Sequence, residues 1–180
     1  VTNTNDSGDG SLRQAILNAN TFSSDDTITF TASANGTIVL ASELPTLDNN
    51  GTLTITGNGA ANTVISGNNA VRVLNVGENA TVTINDVTIR DGRMVTSTNG
   101  AGIFAASLST LTLNNSVVRD NSCATTPPCF GGGIHATYAA LTVNNTSVLD
   151  NTANTQGGGI YANFATIAIP DDERPGRFPD

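Results

Sequence analysis

Apolar and polar residues alternate along most of the chain in short runs that return at a nearly fixed interval. One run reads Thr52-Leu53-Thr54-Ile55 and recurs as Thr81-Val82-Thr83-Ile84, Thr110-Leu111-Thr112-Leu113 and Ala140-Leu141-Thr142-Val143, at steps of 29, 29 and 30 residues. A fifth copy, Thr166-Ile167-Ala168-Ile169, follows after 26 residues. A second series is Ile89-Arg90-Asp91, Val118-Arg119-Asp120 and Val148-Leu149-Asp150. A third runs through Gly100-Ala101-Gly102-Ile103-Phe104-Ala105, Gly131-Gly132-Gly133-Ile134-His135-Ala136 and Gly157-Gly158-Gly159-Ile160-Tyr161-Ala162. Alternation with period two is the signature of a strand with one buried face. Each repeat therefore holds three strand-like pieces and three turns, with no helical period between them. A propeller blade needs four strands, so a coil with three faces fits better. The pattern predicts an all-β chain, a right-handed parallel β-helix forming a three-faced solenoid of about five coils.

The alternation also assigns side chains. Leu53, Ile55, Val82, Ile84, Leu111, Leu113, Leu141, Val143, Ile167 and Ile169 are expected to point inward in aliphatic columns. The threonines between them point outward. Asp91-Gly92, Asp120-Asn121 and Asp150-Asn151 mark corners, and because Gly and Asn tolerate positive φ, Gly92, Asn121 and Asn151 are expected there. Asn85, Asn114 and Asn144 keep the repeat spacing and are expected to stack as an amide ladder. Only one stretch is helical: Ser11 to Asn20, with Leu12, Ala15, Ile16 and Ala19 on one face and Asp9 or Ser11 as the cap. It would close the N-terminal end of the solenoid. The expected organisation is one β-helix domain over 1–169, with the cap over about 1–26 and coils over about 27–169. A charged, Pro-rich tail occupies 170–180. At about 4.8 Å per rung, five coils span about 25 Å.

Composition narrows the function. The chain has 180 residues, seven Arg, no Lys and fifteen Asp+Glu, for a net charge of −8. A nucleic-acid partner needs a basic stripe that is missing, and no run approaches the ~20 apolar residues of a spanning helix. Cys123 and Cys129 bracket a short segment and are expected to pair, which suits an oxidising compartment. The chain starts at Val1 without a Met or a basic, apolar leader. The expectation is an extracellular or cell-surface protein exported by a removed signal peptide.

Val1-Thr2-Asn3-Thr4-Asn5-Asp6-Ser7-Gly8, followed by Gly10-Ser11-Leu12-Arg13-Gln14-Ala15-Ile16, resembles the start of secreted bacterial β-helix proteins with a CSLREA-type N-terminal motif. Asp26-Thr27-Ile28-Thr29-Phe30 and Gly36-Thr37-Ile38 continue the likeness, and Gly10 stands at the motif's Cys position. The Gly-Gly-Gly-Ile and Asp-Asn repeats are also similar to those of chlamydial polymorphic outer-membrane proteins. The resemblance covers about residues 1–169. It implies a right-handed β-helix, export and a surface role, and no defined reaction.

Candidate chemistry is sparse. His135, the only histidine, lines up with Phe104 and Tyr161, which reads as an external stack of planar rings against the alternative of a general base or ligand. Asp91, Asp120 and Asp150 repeat in register. They read as turn formers, as a calcium column or as the acid pair of a glycoside hydrolase. No cofactor or metal is expected, and calcium is the one exception this pattern admits. The Thr-x-Thr column admits an ice-binding face, or simply threonine's preference for exposed strands. A polysaccharide lyase is the enzymatic rival, but it needs cations to neutralise an acidic glycan. Lys is absent, and Arg13, Arg174 and Arg177 lie in the cap and tail. No catalytic set is assigned. Asn5, Asn35, Asn50, Asn79, Asn114, Asn144 and Asn145 are glycosylation sequons. The termini are the expected assembly sites. Ile167 and Ile169 begin a rung that Pro170 stops, and either the tail folds back over it or a neighbouring copy docks there, with Val1, Thr2, Asn3 and Thr4, or the tail, as the donated strand. The expected partners are other copies end to end and, as a further option, surface glycans. The reading is a non-catalytic extracellular structural protein, a filament subunit or adhesin-like rod; the alternatives are a carbohydrate-active β-helix and a glycan- or ice-binding module.

Overall fold

The computed structural model describes residues 1–48, 51–94, 99–123 and 128–170. Asn50 and residues 171–180 lie outside the described residues, so the tail and one sequon are not placed.

The chain opens with helix α1 (Leu12–Ala19) and then winds through parallel strands. The first coil holds β1 (Asp26–Thr29) and β2 (Gly36–Val39), and the second β3 (Thr52–Thr56), β4 (Thr63–Ser66) and β5 (Leu74–Val76). The third holds β6 (Thr81–Asn85), β7 (Thr88–Arg90), β8 (Arg93–Met94) and β9 (Ile103–Ala105). The fourth holds β10 (Thr110–Asn114), β11 (Val117–Arg119), β12 (Ser122–Cys123) and β13 (Ile134–Thr137). The fifth holds β14 (Ala140–Asn144), β15 (Ser147–Leu149), β16 (Thr152–Ala153) and β17 (Ile160–Asn163), and β18 (Thr166–Ala168) starts a sixth. Like strands stack into one sheet of six, one of five and one of four, in the orders β1-β3-β6-β10-β14-β18, β15-β11-β7-β4-β2 and β17-β13-β9-β5. The result is a parallel β-solenoid of about five turns. A fourth ladder of two-residue strands, β16-β12-β8, lies between the second and third faces. Two residues are too few to show alternation, so the sequence pattern does not reveal it.

The interior follows the alternation. Leu53, Val82, Leu111 and Leu141 pair in one column, and each is at most 1 % exposed. Ile55, Ile84, Leu113 and Val143 form the next column and are also buried. α1 closes the N-terminal end by placing Leu12, Ile16 and Ala19 in the core. Its cap is Ser11, whose hydroxyl accepts from the Gln14 N–H. Arg13 ties the cap to the first coil: Nη2 donates to Asp6 Oδ1 and to the Ser42 carbonyl, and Nη1 to the Glu43 carbonyl, all at 2.7 Å.

The corners differ from expectation in one respect. The left-handed residues are Asp91, Asp120 and Asp150, with φ of 51°, 54° and 50°, and not the Gly or Asn that follows each. Asn121 is instead fully buried and bridges coils. Its Oδ1 accepts from the Gly92 N–H at 2.8 Å, and its Nδ2 reaches Asn151 Oδ1 at 2.9 Å. Gly92 is required by crowding, because a Cβ there would sit 2.1 Å from the Ala101 carbonyl oxygen.

Candidate functional site

The face formed by β5, β9, β13 and β17 carries an outer column in which Phe104, His135 and Tyr161 pair in register. The repeat pattern puts His135 on the exterior, but the residue is only 3 % exposed. The cover comes from Phe130, whose bridges to Asn99 and Gln156 lay a further ladder beside this face. The imidazole packs edge-on against Phe104, Tyr161 and Phe130 at centroid distances of 5.5, 5.1 and 6.5 Å. Its Nδ1 lies 3.3 Å from the Phe130 carbonyl, which can only accept. Burial holds the His135 pKa below its ordinary value; the Phe130 carbonyl opposes that shift and Arg72 adds to it. The imidazole thus sits in an aromatic box that favours its neutral form.

Arg72 continues the layer one coil earlier and carries no signal in the repeat pattern. It is 8 % exposed, donates from Nε to the Gly100 carbonyl and from Nη2 to the Asn99 carbonyl, and pairs with Glu43 at 2.8 Å. Its guanidinium also lies 5.3 Å from the centre of the Phe104 ring. Each polar atom acts to join neighbouring coils.

The acid column sits at the corner after β7, β11 and β15. Asp91 accepts from the Ser66 hydroxyl and faces Arg90 at 3.4 Å, and Asp120 is paired with Arg119. Asp150 is exposed, and Leu149 takes the place of the arginine. The structure thus places two of the three calcium candidates against adjacent cations. Among the described residues no group of three or more His, Cys, Asp or Glu side chains is close enough to hold a metal.

Other marked residues fall into ladders. Asn114 Nδ2 donates to Asn85 Oδ1, and Asn144 Nδ2 to Asn114 Oδ1, each at 2.7 Å. Asn145 Nδ2 donates to Asn115 Oδ1 at 2.8 Å, so these three sequon amides are engaged between coils. Asn5, Asn35 and Asn79 are exposed. Thr27, Thr54, Thr83, Thr112 and Thr142 form one outer column, but its neighbour is interrupted by Ala140. Cys123 and Cys129 form a disulfide with Cα atoms 5.7 Å apart, packed beside Met94 and Ala101.

The two ends are unlike. At the N-terminal end the Val1 ammonium donates to the Thr29 carbonyl at 2.6 Å, and the Thr31 N–H donates to the Val1 carbonyl at 2.9 Å. The Ser33 hydroxyl bonds to the Thr2 carbonyl, and the Asn3 side chain to the Asp9 carbonyl. Val1 and Thr2 are thus bonded to the first coil, and Asn3 to the cap. At the other end the inward columns emerge. Ile167, which pairs with Leu141, is 37 % exposed, and Ile169 is 66 % exposed.

Comparisons with protein-family models, with curated proteins and with solved structures find no match for this chain.

Proposed function

We propose that this chain is a non-catalytic structural protein of the cell surface or extracellular space, a stiff rod whose copies join end to end. The observation that carries the reading is the last described rung. The column that is at most 1 % exposed at Leu53, Val82, Leu111 and Leu141 opens to 37 % at Ile167, and Ile169 beyond it is 66 % exposed. Apolar side chains and strand edges exposed together invite another strand. The interior supports a mechanical role, since aliphatic columns and amide ladders bond each coil to the next. The paired arginines and the disulfide suit a rigid, oxidised exterior.

Sedimentation velocity tests this. The wild-type chain is expected to shift to larger species as concentration rises. Ile169→Asp, at a side chain already largely exposed, is expected to keep the fold and stay monomeric. A wild-type chain that sediments as one compact monomer over a hundredfold concentration range would overturn the reading.

A further inference from the structure

The corner between the four-stranded and six-stranded sheets carries an exposed apolar column. Leu108 follows β9 and Tyr138 follows β13, and the register of the next strands sets Asn79, Leu108, Tyr138 and Phe164 one above another. The Leu108 N–H donates to the Tyr138 carbonyl at 2.8 Å. Leu108 is 72 % exposed. Tyr138 is 54 % exposed, although it has coils on both sides and the Phe164 ring stacks on it at 5.0 Å and 10°.

The backbone at these positions is as unusual as the exposure. Leu108, Tyr138 and Phe164 have φ of 62°, 47° and 51°. That left-handed region is cheap for Gly and Asn and costly for a bulky side chain. Every other described non-glycine residue with positive φ is Asn or Asp, including Asn79 in this same column. Asparagine would therefore suit the turn better, and burial does not compensate, because these side chains stand in solvent. Strain of this kind gathers at functional sites.

The surroundings point to the chemistry of the ligand. Residues 106–115, 136–146 and 162–169 contain no charged side chain, in a chain with fifteen acids and seven arginines. Outward hydroxyls flank the ridge: Thr110 lies two residues after Leu108, and Thr112 and Thr142 pair in the next outer column of the six-stranded sheet. An apolar ridge beside neutral hydroxyls matches a pyranose ring, which has an apolar C–H face and a rim of groups that both donate and accept. With no cation in these segments an acidic glycan or an anionic lipid is left unneutralised, and the net charge of −8 repels both. The column rises by one side chain per coil, about 4.8 Å, so the glycan it fits is an extended ribbon. We propose that Leu108 and Tyr138, with Thr110, Thr112 and Thr142 beside them, bind the ring faces of a neutral β-1,4-linked polysaccharide.

Depletion from solution tests this. The full chain is mixed with microcrystalline cellulose or with chitin, and the protein left in the supernatant is compared with a sample holding neither. Wild type is expected to be retained by at least one of the two. Tyr138→Asn and Leu108→Asn place at each turn the residue type that Asn79 shows to fit it. Each is expected to weaken retention about tenfold, the scale of one lost aromatic or apolar contact. Each is also expected to leave the denaturant midpoint at or above that of wild type, an outcome that a purely structural role would not give. Tyr138→Phe keeps the ring and is expected to bind as wild type does. Wild type left wholly in the supernatant by both polysaccharides overturns the proposal. So does retention that Tyr138→Asn and Leu108→Asn leave unchanged. If these two variants instead weaken self-association of the chain while retention is unchanged, the ridge is a contact between copies and the proposal fails. If the chain is retained only once residues 171–180 are removed, the ridge seats that segment and the proposal fails.

Discussion

At the residue scale, His135 and Asp91, two of the candidate chemical side chains, act as joints between coils. His135 shows this best, because its environment has a measurable consequence. The folded state disfavours the protonated imidazole, so the unfolded chain binds a proton more readily as pH falls. This residue's contribution to stability is complete above the unfolded pKa of about 6.5. It declines as pH falls below that value toward the lower folded pKa. His135→Phe keeps the ring packing and is expected to stay within about 1 kcal/mol of wild type at pH 8, the scale of one hydrogen bond. Denaturant midpoints at pH 8 and pH 5 should then differ less in the variant than in wild type. Equal pH dependence in both would show that the imidazole is not held neutral. The register of His135 with Phe104 and Tyr161 was legible from spacing alone, but its burial was not. Phe130, which covers it, comes from outside the repeated strand pieces. The corner residues teach a similar lesson. Spacing located the corners, yet it could not tell which of Asp120 and Asn121 turns the chain, since both types accept positive φ. The buried polar ladder decides it. Asn121 is needed inside to satisfy the Gly92 N–H, and the left-handed position falls to the aspartate.

At the scale of elements, the strands with five-residue alternation were fully readable. The sequence pattern placed β3, β6, β10 and β14 and their inward residues correctly because each buries one face against its neighbours above and below. The helix was readable for the same reason, its apolar stripe being the core-facing surface. The two-residue strands β8, β12 and β16 were not. They exist because the backbone between two corners happens to run alongside its counterpart, which leaves no pattern of side chains. Cys123 lies on β12, and its disulfide with Cys129, six residues on, sits in a small apolar cluster separate from the main core. Constraining a loop of this size is worth about 2 kcal/mol through the unfolded state. The double variant Cys123→Ala/Cys129→Ala is therefore expected to lose about that much in denaturant unfolding. It should retain the far-ultraviolet dichroism of the parallel sheets. Loss of that signal in the variant would mean that the disulfide holds the solenoid itself.

For the whole molecule, the fold follows from a repeat that cannot bury its apolar face alone. Each coil is completed by the next, and in the last described rung Ile167 and Ile169 are exposed. The sequence marked that end. It did not reveal that Val1 and Thr2 bond to Thr29, Thr31 and Ser33, because these contacts lie outside the repeated strand pieces. A net charge of −8 on every copy opposes stacking, and added salt screens it. The most direct measurement of the end-to-end account is electron microscopy of the purified chain at rising concentration, at low and at physiological ionic strength. The account predicts unbranched filaments one solenoid wide that lengthen with protein and with salt, with strands about 4.8 Å apart along the axis. Separate particles no longer than one solenoid, unchanged in size across the whole series, would contradict it.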